Sequence, residues 1–215
     1  MRLLFLLCSA TAAVAQPLSV GVKAGLPWTD FLNTAQSGNF SFTSTTNRYI
    51  FGASAELRLP FHLSIELDAL YRHFSYHGIG SIIGITTTTA TSSTTSNDWE
   101  FPLLAKYRFG KKGVARPFVD AGVAFDTLQG LAQTVKTTVL ATGSTTTSST
   151  SNPPELNDTS SRGFVMGVGL DVKAVLIHIQ PEIRYTRWGA KHFLDPNALL
   201  HSNPNQAEFL VGITF

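Results

Sequence analysis

The chain is poor in what usually stabilises or marks a soluble domain. It has one cysteine, Cys8, in 215 residues, so no intrachain disulfide can hold the fold. Charged residues make up 14%, against roughly 25% in an ordinary soluble domain. A formal net charge of +2 leaves no surplus for a nucleic-acid footprint, and no nucleic-acid partner is expected. No run reaches the ~18 apolar residues that a membrane-spanning helix needs. Hydrophobic residues still amount to 43%, which excludes a disordered chain.

The first residues carry a processing pattern. Arg2 precedes the apolar stretch Leu3–Leu7, and Ala13-Val14-Ala15 follows, which predicts a secretory signal peptide over 1–15 cleaved before Gln16. Lipid attachment at Cys8 is opposed by Leu7, where a small residue is wanted.

From residue 18 the dominant pattern is alternation with period two, the mark of strands with unlike faces. Eight runs show it: 18–26, 49–59, 63–72, 99–109, 117–125, 164–172, 177–185 and 207–215. Their fourteen charged side chains all share the parity opposite the apolar residues. Links between runs alternate in length. Pro60-Phe61-His62, Gly110–Gly113 and Lys173–Leu176 are short, whereas 27–48, 73–98, 126–163 and 186–206 are long. Two long links hold Thr/Ser tracts, which predict mobile segments that bury nothing.

Alternation does not say which face points inward; volume does. About forty mostly bulky apolar residues cannot fit inside eight strands, whose interior only just holds side chains. The other face is rich in Gly and Ser and carries charges of both signs. The expectation is therefore an all-β, eight-stranded antiparallel up-and-down transmembrane β-barrel over 16–215, with short periplasmic turns and four long outer loops. A soluble periplasmic ligand-binding barrel is the inverted alternative. The predicted lumen set is Lys23, Glu56, Arg58, Glu66, Asp68, Arg72, Glu100, Lys106, Arg108, Asp120, Asp171, Glu182, Arg184 and Glu208, a salt-bridged plug without an open pore. The predicted interface aromatics are Trp28, Tyr49, Tyr71, Trp99, Tyr107, Phe109, Tyr185, Trp188 and Phe215. Pro102 and Pro181 lie within runs, where a missing N–H predicts local bulges.

Three segments resemble small bacterial outer-membrane barrels of the PorT/OmpA-like group. They are Trp99-Glu-Phe-Pro-Leu-Leu-Ala-Lys-Tyr-Arg-Phe109, the pair Arg116–Gly122 with Pro181–Trp188, and the aromatic-terminated Phe209-Leu-Val-Gly-Ile-Thr-Phe215. The resemblance implies residence in the outer membrane and contact with its lipids and lipopolysaccharide. It also implies delivery by barrel-assembly machinery through the strand ending at Phe215. The group is defined by architecture, so the resemblance itself is a poor guide to activity; taken with the residues, a structural or surface-interaction role as a monomer, with no cofactor, is expected.

The enzymatic alternative rests on His73 and Ser75, which resemble the His-x-Ser pair of lipid A deacylases. Both share the outward parity of Tyr71, but Tyr76 stands where that family has Asn, and every strand glutamate has inward parity. The pairs His73/His77 and His192/His201 lack a third nearby ligand, so no metal is expected. The glycines 78, 80 and 84 lack the strand-to-helix setting of a phosphate cradle, and Lys111-Lys112 is a solvated turn.

Overall fold

The computed structural model describes residues 18–46, 48–84, 86–110, 113–195, 197 and 199–215; the predicted leader 1–15 and Lys111-Lys112 lie outside them. Eight strands form the wall: β1 (Leu18–Pro27), β2 (Ile50–Arg58), β3 (Leu63–Ile82), β4 (Thr88–Arg108), β5 (Ala115–Val139), β6 (Ser160–Ala174), β7 (Ile177–Trp188) and β8 (Asn205–Thr214). Each pairs antiparallel with its chain neighbour, and β8 returns to β1 with Lys23 opposite Gly212, so the sheet closes. Closure leaves the wall without an open edge, which a lipid environment demands.

The charged residues of the eight alternating runs are sorted to the wall's inner face. Val22, Phe51, Leu67, Leu103, Val123 and Val168 are exposed on the outside of the wall, while Lys23, Glu66, Lys106 and Arg184 are at most 1% exposed within it. The inverted, soluble alternative is therefore corrected: a water-borne barrel would not present this belt to solvent while enclosing ions. Along β3 the outward apolar residues run from Leu63 to Tyr71 and give way to His73, Ser75 and His77. Nine residues at about 3.3 Å each, tilted by about 40°, rise about 23 Å, close to the height of a bilayer's apolar band.

The strands β3, β4 and β5 continue well past that belt, to 20, 21 and 25 residues. With strands Phe40–Thr46 and Ser144–Thr150 they build a sheet projecting beyond the membrane on the long-link side. The Thr/Ser tracts are thus extended strands rather than loops, and of the two only Ser144–Thr150 buries nothing, as predicted. Thr88–Thr95 pairs on both sides, and Thr94 and Ser96 are buried. Threonine is polar in composition but β-branched, so its stiff side chain favours an extended backbone.

The proline expectation is also corrected. No register shift occurs at Pro102 or Pro181; instead the ladder is interrupted on one side of each, between β3 and β4 at Pro102 and between β6 and β7 at Pro181. The one shift in the β4–β5 ladder lies at Thr95/Asn97, opposite a stretch holding Gly130 at φ 62°.

Candidate functional site

The interior is built by strand parity: residues two apart on each strand face the axis, and cross-strand register stacks them. At the short-turn end Arg108 is the hub. It donates to Glu56 at 2.6 Å, Asp171 at 2.6 Å and Ser64 at 2.7 Å. Asp171 also accepts from His178 at 2.6 Å and Arg116 at 3.3 Å, and Arg58 reaches Glu56 at 3.4 Å.

The middle tier is denser. The Lys23 ammonium meets Glu66, Asp68 at 3.0 Å and Glu182 at 3.1 Å. Lys106 meets Glu66 as well, donates to Gln180 at 3.1 Å and lies 4.2 Å from the Phe118 ring centre. Arg184 bridges Glu182 at 2.6 Å and Asp68 at 2.9 Å. Towards the long-link end Arg72 donates to Asp98 at 2.6 Å and Gln206 at 3.1 Å.

Of the fourteen predicted lumen residues, eleven thus stand in direct ion pairs. Glu100, Asp120 and Glu208 are buried on the same axis, with carboxylate oxygens that meet no hydrogen-bond donor. Sequence reasoning missed Asp98, Asp126 and Arg116 as members, although each continues the inward parity of its strand. It also missed the apolar inward groups Ile50–Leu70–Leu210 and Leu104–Ala124–Val165–Trp188.

Trp188 requires a correction. It shares parity with Arg184, not with Tyr185, and is 5% exposed inside the wall, where Gly163 leaves room for its ring. The other predicted interface aromatics face outward. Phe51, Tyr71 and Trp99 form a chain with ring centres 5.3 and 5.2 Å apart on the long-link rim, and Tyr107 with Phe109 lie 5.0 Å apart on the opposite rim. Trp28, Tyr49 and Phe215 are exposed and Tyr185 is half-buried.

Above Arg72 sits a small apolar core of Phe31, Leu32, Phe74, Tyr76, Leu128, Phe193 and Leu200. Strand Leu32–Thr34 pairs there with Leu200–Ser202. His192 fastens this cap: its ring nitrogens face Asp126 Oδ2 at 2.8 Å and the Asp158 carbonyl at 2.9 Å. Burial disfavours the imidazolium, but the hydrogen bond and charge of Asp126 outweigh it and raise the His192 pKa.

The His73/Ser75 pair is not joined. His73 Nδ1 faces Asn97 Oδ1 at 2.9 Å, an oxygen shared with the Tyr71 hydroxyl, while Ser75 donates to the Thr45 carbonyl at 3.2 Å. His201 faces Asn33 rather than His192. Among the described residues no group of three or more His, Cys, Asp or Glu could hold a metal.

Residues 14–189 match the family described as outer membrane protein beta-barrel domain, most of the chain's length. The chain belongs to that family. The protein accordingly resides in the outer membrane. Its fold is similar to that of the outer membrane protein OprG of Pseudomonas aeruginosa, at 12% identity over 92% of each chain with a TM-score of 0.53. Neisserial surface protein A is similar at 13% identity over 92% of this chain and 94% of its own, with a TM-score of 0.41. The attachment invasion locus protein Ail of Yersinia pestis is similar at 8% identity over 92% and 96%, also with a TM-score of 0.41. No curated protein matches. For this family member, OprG supports the architecture alone, because identity this low says nothing about activity.

Proposed function

We propose that this outer-membrane barrel has a plugged lumen and a structural or surface-interaction role. The observation that carries the reading is the succession of ion-pair tiers along the axis, Arg108 with Asp171, Lys23 and Arg184 with Glu66 and Asp68, and Arg72 with Asp98, followed by the apolar cap. Unpairing such ions costs several kcal/mol each, so the stack resists opening. Residues 1–15 act as a leader. Outer-membrane lipids and lipopolysaccharide surround the belt, and the strand ending at Phe215 addresses the assembly machinery. The closed wall lets the barrel stand as a monomer without a cofactor. The projecting Thr/Ser sheet supplies the contact surface.

The test is conductance. Purified protein in planar bilayers should show no stable channel, and steady ohmic current from the folded barrel would contradict the plug. Ser75 spends its proton on a carbonyl rather than on His73, which supports a non-enzymatic role. Lipid A from cells carrying Ser75→Ala should match the wild type.

A further inference from the structure

The lumen's charge is divided unevenly along the axis. From the middle tier outward, Lys23, Arg72, Lys106 and Arg184, with His192, face eight buried carboxylates: Glu66, Asp68, Asp98, Glu100, Asp120, Asp126, Glu182 and Glu208. At the short-turn mouth the balance reverses. Arg58, Arg108, Arg116 and Lys173 face only Glu56 and Asp171. The mouth opens into a pocket of about 570 Å³ lined by Arg58, Arg116, Asp171, Lys173 and His178.

Several donors there are unspent. Asp171 is oversubscribed, serving Arg108, Arg116 and His178 at once, so Arg116 holds only a 3.3 Å contact. Arg58 lies 3.5 Å from His178 through Nη1, and its Nη2 is buried without an acceptor. Lys173 is exposed, opposite His178 in the ladder, and has no ion pair among the described residues. Register explains the convergence: Arg116 lies opposite Asp171 and Lys173 opposite His178, all with inward parity.

We infer that this mouth is an anion site that takes a phosphate group, with the guanidinium forks of Arg58 and Arg116 and the point charge of Lys173 as its donors. Guanidinium geometry suits a tetrahedral oxyanion, and the neighbouring low-dielectric wall strengthens the attraction. Asp171 is a positioning residue that holds Arg116 and His178. The mouth lies at the height of the periplasmic leaflet, so the phosphate can belong to a phospholipid headgroup or to a free anion. The site stands whether or not the lumen conducts.

The test uses the full barrel folded in a maltoside detergent, in phosphate-free buffer, titrated calorimetrically with inorganic phosphate and separately with dihexanoyl phosphatidylglycerol. Binding that weakens with added salt is expected. Phosphate alone binding indicates a free anion, the lipid alone a headgroup, and both a site that needs only the phosphate group. Arg58→Gln and Lys173→Gln should each weaken binding about tenfold or more, while Lys173→Arg should retain it. Neither probe binding, or equal binding by Arg58→Gln and Lys173→Gln, overturns the site. Lys173 is exposed and unpaired, so its variant keeps the test readable even if an arginine variant does not fold.

Discussion

At the residue scale, burial of an ion is decided by its partners. Lys23 serves three carboxylates while buried from solvent, so Lys23→Met leaves Glu66, Asp68 and Glu182 with one cation fewer. The expected loss is about 3–5 kcal/mol, read as a lower urea midpoint for unfolding from vesicles. Lys136→Gln, on the projecting sheet, should cost less than about 0.5 kcal/mol. His192 gives a pH signature. Its pKa is raised in the folded protein, so its stabilising contact with Asp126 is complete below the ordinary value of 6.5 and is lost as pH rises through the raised one. The wild-type unfolding midpoint should therefore fall from pH 6 to pH 9 by more than that of His192→Gln. Much of this scale was legible, since parity alone separated Lys23 from Val22 and would have turned Trp188 inward had the run been counted three residues further. The cap was not legible, because Phe31 and Phe193 converge on Phe74 only through the closed topology.

At the element scale, strand existence was readable and strand length was not. Alternation of apolar and polar residues identifies a wall that separates lipid from lumen, and it stops where both faces become polar. Above Trp99 the strand β4 stays extended, but threonine and serine on both faces erase the periodic signal, while beyond Tyr71 the pattern on β3 inverts, with Phe74 and Tyr76 inward and His73, Ser75 and His77 outward. Pro181 illustrates the opposite error. Its missing donor predicted a bulge, yet the neighbouring strands hold their register and leave a gap in the β6–β7 ladder. The ladder to β8 is continuous there, so the vacancy faces β6. Pro181→Val supplies an N–H on that side and should raise unfolding stability by about 1 kcal/mol. An unchanged or lower midpoint would mean that the gap is imposed by something other than the proline.

At the scale of the whole molecule, one division governs the structure: a belt of outward apolar side chains surrounds an axis of paired ions, with aromatic rims at both edges. The belt height fits a bilayer, the family places the barrel in the outer membrane, and the projecting sheet extends from the rim of Phe51, Tyr71 and Trp99. The described residues contain no cysteine, so single-cysteine spin labels are easily introduced. The most direct measurement is collision accessibility of labels at Leu67, Leu103, Val123 and Val168 in reconstituted bilayers. All four should relax readily with oxygen and be shielded from a water-soluble nickel chelate, whereas a label at Ser75 should be open to the chelate. Free access of the chelate to the first four positions would contradict the lipid-facing belt.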